Sequence, residues 1–159
     1  MLIQQSVKTS RKFDLEVEPG RLLRRFTKKE ALQLVDQWIG VYAQNAQGAK
    51  LNAYLWHTFS FGIYPSVCER EAELLFTQQI ATEFVVLSND RRSALLTDAL
   101  PTKCNMMDYL VFPTDLAWSV AFTHEDGWFG HYFAKHPNYE ASLERARAQQ
   151  RKAQVIERG

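Results

Sequence analysis

The chain has 159 residues, of which 46% are hydrophobic, 13% aromatic and 23% charged, and its formal net charge is +1. Such a length supports one domain with its own core, and the composition excludes a disordered or fibrous chain. A charge this near zero excludes strong long-range attraction to nucleic acid or to an acidic membrane.

Cys68 and Cys104 are the two cysteines. No framework spacing links them, so they read as free thiols of a reducing compartment. The opening MLIQQSVKTSRKF lacks an apolar signal core and a cleavage site, and no window nears the roughly 18 apolar residues of a membrane span. A cytoplasmic protein without a membrane segment is expected.

Residues 1–10 are a polar leader, expected to be a loosely ordered end. Lys12–Glu18 alternates, with Phe13, Leu15 and Val17 on one face, which predicts a half-buried strand closed by the turn Pro19-Gly20. Arg21–Lys29 carries Arg21, Arg24, Arg25, Lys28 and Lys29. Without interleaved aromatics or a glycine-rich loop, it reads as a solvated approach to a helix, with a phosphate-binding patch as the alternative. Thr27 and Glu30 form a capping box, and Ala31, Leu34, Val35, Trp38, Ile39 and Tyr42 recur at three- and four-residue steps. A helix to about Gln44 follows.

Leu51–Tyr64 is strongly apolar and alternates well enough to predict a strand stopped by Pro65. Ser66-Val-Cys-Glu69 matches a second capping box, opening a helix from Glu69 to about Gln79 with Ala72, Leu75 and Phe76 inward. Glu83–Leu87 reads as a short strand before the turn Ser88-Asn-Asp90. Ala94–Leu100 is either strand or one helical turn. Asn138 suits the start of a last helix, Tyr139 to about Glu157, whose apolar residues thin after Leu143. Residues from about 148 to 159 are expected to be loosely ordered.

The most informative stretch is Tyr109–Phe133, with eight aromatic side chains in one short segment. Tyr109–Phe112 is an apolar run ended by Pro113. In Ala117–Glu125, Trp118, Val120 and Phe122 point one way, and Ala117, Ser119, Ala121 and Thr123 the other. Asp126-Gly127 is a turn signal. The prediction is a single α+β domain over 1–159, with an antiparallel or mixed sheet of about five strands packed with about three helices.

Candidate polar residues cluster at one turn: His124, Glu125, Asp126, Trp128 and His131. Histidine beside carboxylates could form a general acid–base pair. The simpler reading of His124 is a strand-end histidine bonded to its surroundings, on the face of Trp118, Val120 and Phe122. Spacings of seven and five along His124, His131 and His136 match no metal motif, and no nucleophile or phosphate-loop signature occurs. No metal, cofactor or catalytic residue is therefore assigned. Trp128–Phe133 reads as core or sheet-edge plug, with an exposed recognition patch as the alternative.

Several segments resemble a family of short bacterial proteins catalogued only as a domain of unknown function. They are Leu55-Trp-His-Thr-Phe-Ser60, the Glu71-Ala72 helix, Phe84–Asp90, and above all Asp108–Phe133. The last follows a D-x-Y-V-F-P, W-T-x-A-x-T-H-E, G-P-Y-F pattern, with Ser119 where Thr is usual and His131 where Pro is usual. The resemblance spans about Leu55–Tyr139. It implies a compact bacterial cytoplasmic domain and brings no activity with it.

Three functions follow as expectations. The first is a non-enzymatic protein binder, an immunity protein that occludes the active site of a cognate toxin. The second is a small enzyme or ligand-binding domain using His124, Glu125, Asp126 and His131. The third, for which least speaks, is nucleic-acid binding through Arg21–Lys29 and the basic C-terminal helix.

Overall fold

The computed structural model describes residues 14–45, 54–124 and 131–158. Residues 1–10, Phe13, Glu125, Asp126, Trp128 and the Asp126-Gly127 turn lie outside them. Among the described residues the elements are β1 (Val17–Glu18), β2 (Leu22–Arg25), α1 (Lys28–Tyr42), α2 (His57–Ser60), β3 (Val67–Cys68), α3 (Glu69–Thr77), β4 (Phe84–Ser88), β5 (Ala94–Thr97), β6 (Lys103–Cys104), β7 (Tyr109–Pro113), β8 (Trp118–Phe122), β9 (Tyr132–Lys135) and α4 (Tyr139–Arg158). Seven strands form one sheet in the order β2-β5-β4-β7-β8-β9-β3, and β1 and β6 make a separate two-stranded ribbon. Every pairing is antiparallel. The α+β class is right. The expected counts of strands and helices are too low, because several strands have two residues, too few to show a period, and α2 is a single turn. No helix of the described residues is long and apolar enough to cross a membrane.

The centre of the sheet is buried on both faces, as the all-buried β4 and β7 require. Alternation decides which side chain meets which layer. Val85, Leu87, Leu110, Phe112, Ala121 and Ala134 face a core completed by Trp38 and Tyr42 of α1 and by Leu55, Trp56 and Phe59. Phe84, Val86, Val111, Trp118, Val120 and Phe133 face a second core with Leu15, Ala72 and Phe76 of α3, and Tyr139 of α4. The predicted split of β8 therefore holds, and both of its faces are covered. Its small residues face α1. There Ser119 leaves room for the Trp38 indole, whose Nε1–H donates to Ser119 Oγ at 2.8 Å.

The Thr27 capping box forms as predicted: Glu30 N donates to Thr27 Oγ1 and Thr27 N to Glu30 Oε1. The turn at Gly20 needs glycine. Its φ is +111°, and a Cβ there would lie 2.5 Å from Thr97 Oγ1.

Four local expectations are corrected. The described part of Leu51–Tyr64 is no strand: Leu55, Thr58 and Phe59 are buried at helical spacing, and Thr58 Oγ1 donates to Tyr42 O at 2.6 Å. The segment folds back as a plug beside α1, so burial outweighs the apparent alternation. The Ser66 capping box does not form. Val67 and Cys68 pair with Phe133 and Tyr132, which keeps the chain extended and moves the cap to Cys68, with no side-chain hydrogen bond. The predicted first strand shrinks to Val17–Glu18. The approach to α1 is the edge strand β2, exposed along its length.

Candidate functional site

The end of the β7–β8 hairpin builds the site. In its register Tyr109 faces Phe122 and Val111 faces Val120, so Asp108 arrives beside Thr123 and His124. Asp108 Oδ1 accepts the His124 main-chain N–H at 3.0 Å and lies 2.9 Å from His124 Nδ1. One carboxylate thereby fixes both the backbone and the ring of the histidine. With Nδ1–H donating to Asp108, Nε2 is the nitrogen left for other contacts.

Aromatic packing completes the arrangement. The His124 ring lies 5.2 Å from Tyr54 and 6.0 Å from Trp56. Trp56 in turn meets His57 at 4.6 Å, and His57 stacks on Phe61 at 4.6 Å. A continuous series of rings thus runs from the Asp108-held imidazole across buried Trp56, which is 2% exposed, to Phe61, which is 58% exposed. Trp56 also stacks on Tyr132 of β9. The plug at residues 54–61 carries most of this ridge, so the departure from the predicted strand is what assembles it.

The face expected for His124 is corrected. β8 ends at Phe122, the alternation stops there, and His124 turns to the rings on the α1 side. His131 lies elsewhere: its ring packs on Phe122 at 4.6 Å, and Nε2 stands 4.0 Å from Glu73 Oε1. The two histidines do share an open cleft of about 540 Å³, lined also by Cys104, Met106 and Tyr109. Burial pushes both the Cys104 thiol and the Tyr109 hydroxyl above their ordinary pKa ranges. Both groups are therefore protonated at neutral pH, which makes the thiol a poor nucleophile. Among the described residues, no group of three or more His, Cys, Asp or Glu side chains could hold a metal ion.

Sequence reasoning missed Asp108, Tyr54, His57 and Phe61. Asp108 was within reach: setting Pro113 opposite Trp118 and counting outward places it opposite Thr123. The three plug residues carried no such signal, because a one-turn helix leaves too short a pattern.

The basic segment is also accounted for. Arg21 Nε pairs with Asp98 Oδ2 at 2.9 Å, Arg24 pairs with Glu30, and Arg25 Nη1 donates to Leu15 O at 2.9 Å.

A family model described as Domain of unknown function (DUF4275) matches residues 21–133. The chain belongs to that family. The match opens at β2, includes the plug, Asp108 and His124, and closes within β9, so α4 lies beyond it. No curated protein matches the chain, and no solved structure does.

Proposed function

We propose that this chain is a non-enzymatic bacterial protein-binding domain of the cytoplasm, an immunity protein that seats on a cognate toxin and covers its active site. The observation that carries the reading is the ring series from His124 to Phe61, locked by Asp108 at one end and open at the other. Aromatic anchors already held by their neighbours lose little freedom on binding, and such residues dominate interface energetics. A net charge of +1 favours a partner recognised by shape and rings over one captured at long range. It also speaks against a nuclease as the toxin, since a mimic of nucleic acid would be acidic.

The test is co-expression with the product of the gene immediately upstream in the source genome. Expected are growth rescue, a stoichiometric complex, and loss of both with Phe61→Ala plus His57→Ala at unchanged folding. A wild-type chain that neither rescues growth nor forms a complex with the neighbouring product would refute the reading.

One observation favours the enzymatic alternative. Asp108 on Nδ1 leaves His124 Nε2 as a candidate base beside the 540 Å³ cleft. In that case His124→Gln would abolish a turnover while leaving any protein complex intact. Nucleic-acid binding draws no support from the geometry, because three of the arginines it needs are engaged within the chain.

A further inference from the structure

A larger cleft, about 680 Å³, lies between the β1–β6 ribbon and the β2–β5 edge of the sheet. This volume falls within the range of ligand sites. Its floor is a sheet face: Arg25 is paired with Leu95, and Leu22 with Thr97 two residues on, so Leu22, Arg25 and Leu95 project together. Its wall is the ribbon, braced by Asn105. The Asn105 side chain accepts from Glu16 N at 2.8 Å and donates to Asp14 O at 2.6 Å.

The ladder register gives that wall a chemical character. Asn105 N donates to Glu16 O at 3.1 Å, which makes Val17 and Cys104 the non-hydrogen-bonded pair. The main-chain N–H and C=O of Val17 therefore point away from β6, along the open edge of the ribbon. Val17 lines the cleft. Among the described residues no strand pairs with this edge. A donor and an acceptor side by side, in extended backbone, are what another extended backbone recognises. The cleft's charges balance, with Glu16 and Glu18 against Arg25 and Lys103, while exposed Leu22, packed over buried Leu95, supplies an apolar floor. A polyanion such as a nucleotide finds no excess of positive charge here. A peptide, neutral along its main chain and carrying side chains of both kinds, needs none.

We infer that this cleft takes an extended peptide segment of a protein partner, which adds as a strand against Val17 and lays an apolar side chain on Leu22. The inference does not rest on the aromatic ridge or on the immunity reading. Strand addition draws affinity from main-chain hydrogen bonds and specificity from alternate side chains.

The experiment pans a phage-displayed library of random linear peptides against the full chain and titrates an enriched peptide by fluorescence anisotropy. Val17→Pro removes the outward N–H and no ribbon hydrogen bond. Leu22→Asp places a charge on the floor at a residue 54% exposed, so folding is untouched. Phe61→Ala disables the ridge instead. Expected is a loss of about tenfold for Val17→Pro, the worth of one good main-chain hydrogen bond, and a loss of about the same size for Leu22→Asp, which sets a charge against the apolar side chain. Phe61→Ala leaves peptide affinity unchanged, and amide shifts on peptide addition centre on Val17. Failure to enrich any peptide would overturn the inference. So would binding that Val17→Pro leaves intact, whether or not Leu22→Asp weakens it, and so would binding that Phe61→Ala abolishes.

Discussion

Replacing Asp108 separates the geometry of its carboxylate from its charge. Asp108→Ala deletes the contacts to His124, the main-chain one at 3.0 Å and those to the ring at 2.9 Å from Oδ1 and 3.1 Å from Oδ2. In a sealed interior, hydrogen bonds to a charged acceptor would be worth about 1.5–3 kcal/mol each. Here the side chains are 37% and 15% exposed for His124 and Asp108, so water recovers part of the loss. A net destabilisation of about 1–2 kcal/mol is expected. Asp108→Asn keeps an acceptor oxygen where Oδ1 sits, and should cost under about 1 kcal/mol. Urea unfolding at neutral pH resolves the two: with a slope of about 1–3 kcal/mol per molar, Ala shifts the midpoint by about half a molar or more, and Asn by clearly less. Equal losses for Asn and Ala would show that charge is what His124 requires. No loss for either would show that His124 is not held by this residue, and the rigid ridge would lose its fixed end.

The Trp38–Ser119 bond joins two side chains at 0% exposure. Ser119→Ala orphans the indole N–H at about 1–3 kcal/mol, Trp38→Phe costs about 2–3 kcal/mol in lost packing, and the double variant should fall short of their sum by about 1 kcal/mol. Strict additivity in a thermal or urea double-mutant cycle would refute the bond. Acid should act through two surface carboxyls. The Arg21 main-chain N–H and then its guanidinium hold Asp98 below the usual carboxylate range, and the Thr27 amide, its hydroxyl and Arg24 do the same for Glu30. A folded-state pKa below the unfolded one means stability that is present above the ordinary carboxylate range and lost as pH falls through the depressed values. Asp98→Asn and Glu30→Gln should each flatten the acid limb of a melting-temperature profile. Carboxyl resonances that titrate at or above ordinary values would contradict both.

Where a segment's own spacing settles its environment, the sequence was enough. The apolar steps from Ala31 to Tyr42, with Thr27 and Glu30 at the entry, describe the start and buried face of α1, which ends at Tyr42 and not near Gln44, because capping and amphipathicity are local. The alternation of Trp118, Val120 and Phe122 against Ser119 and Ala121 likewise specifies β8, including which side accepts a large neighbour.

Tertiary pairing decided the rest. Ser66 cannot cap a helix while Val67 and Cys68 are held extended by β9. The run from Leu55 to Ser60 alternates on paper, yet winds into a turn that buries Leu55, Thr58 and Phe59 beside α1, with Thr58 bonded to Tyr42 O. Asp108 becomes the partner of His124 only because antiparallel register joins residues sixteen apart. The edge of Val17 became informative only when its ladder showed which amides face outward. Composition and period thus determined α1, β8 and their buried sides. Contacts between elements distant in sequence, whose energies no local window contains, decided the ridge and the cleft.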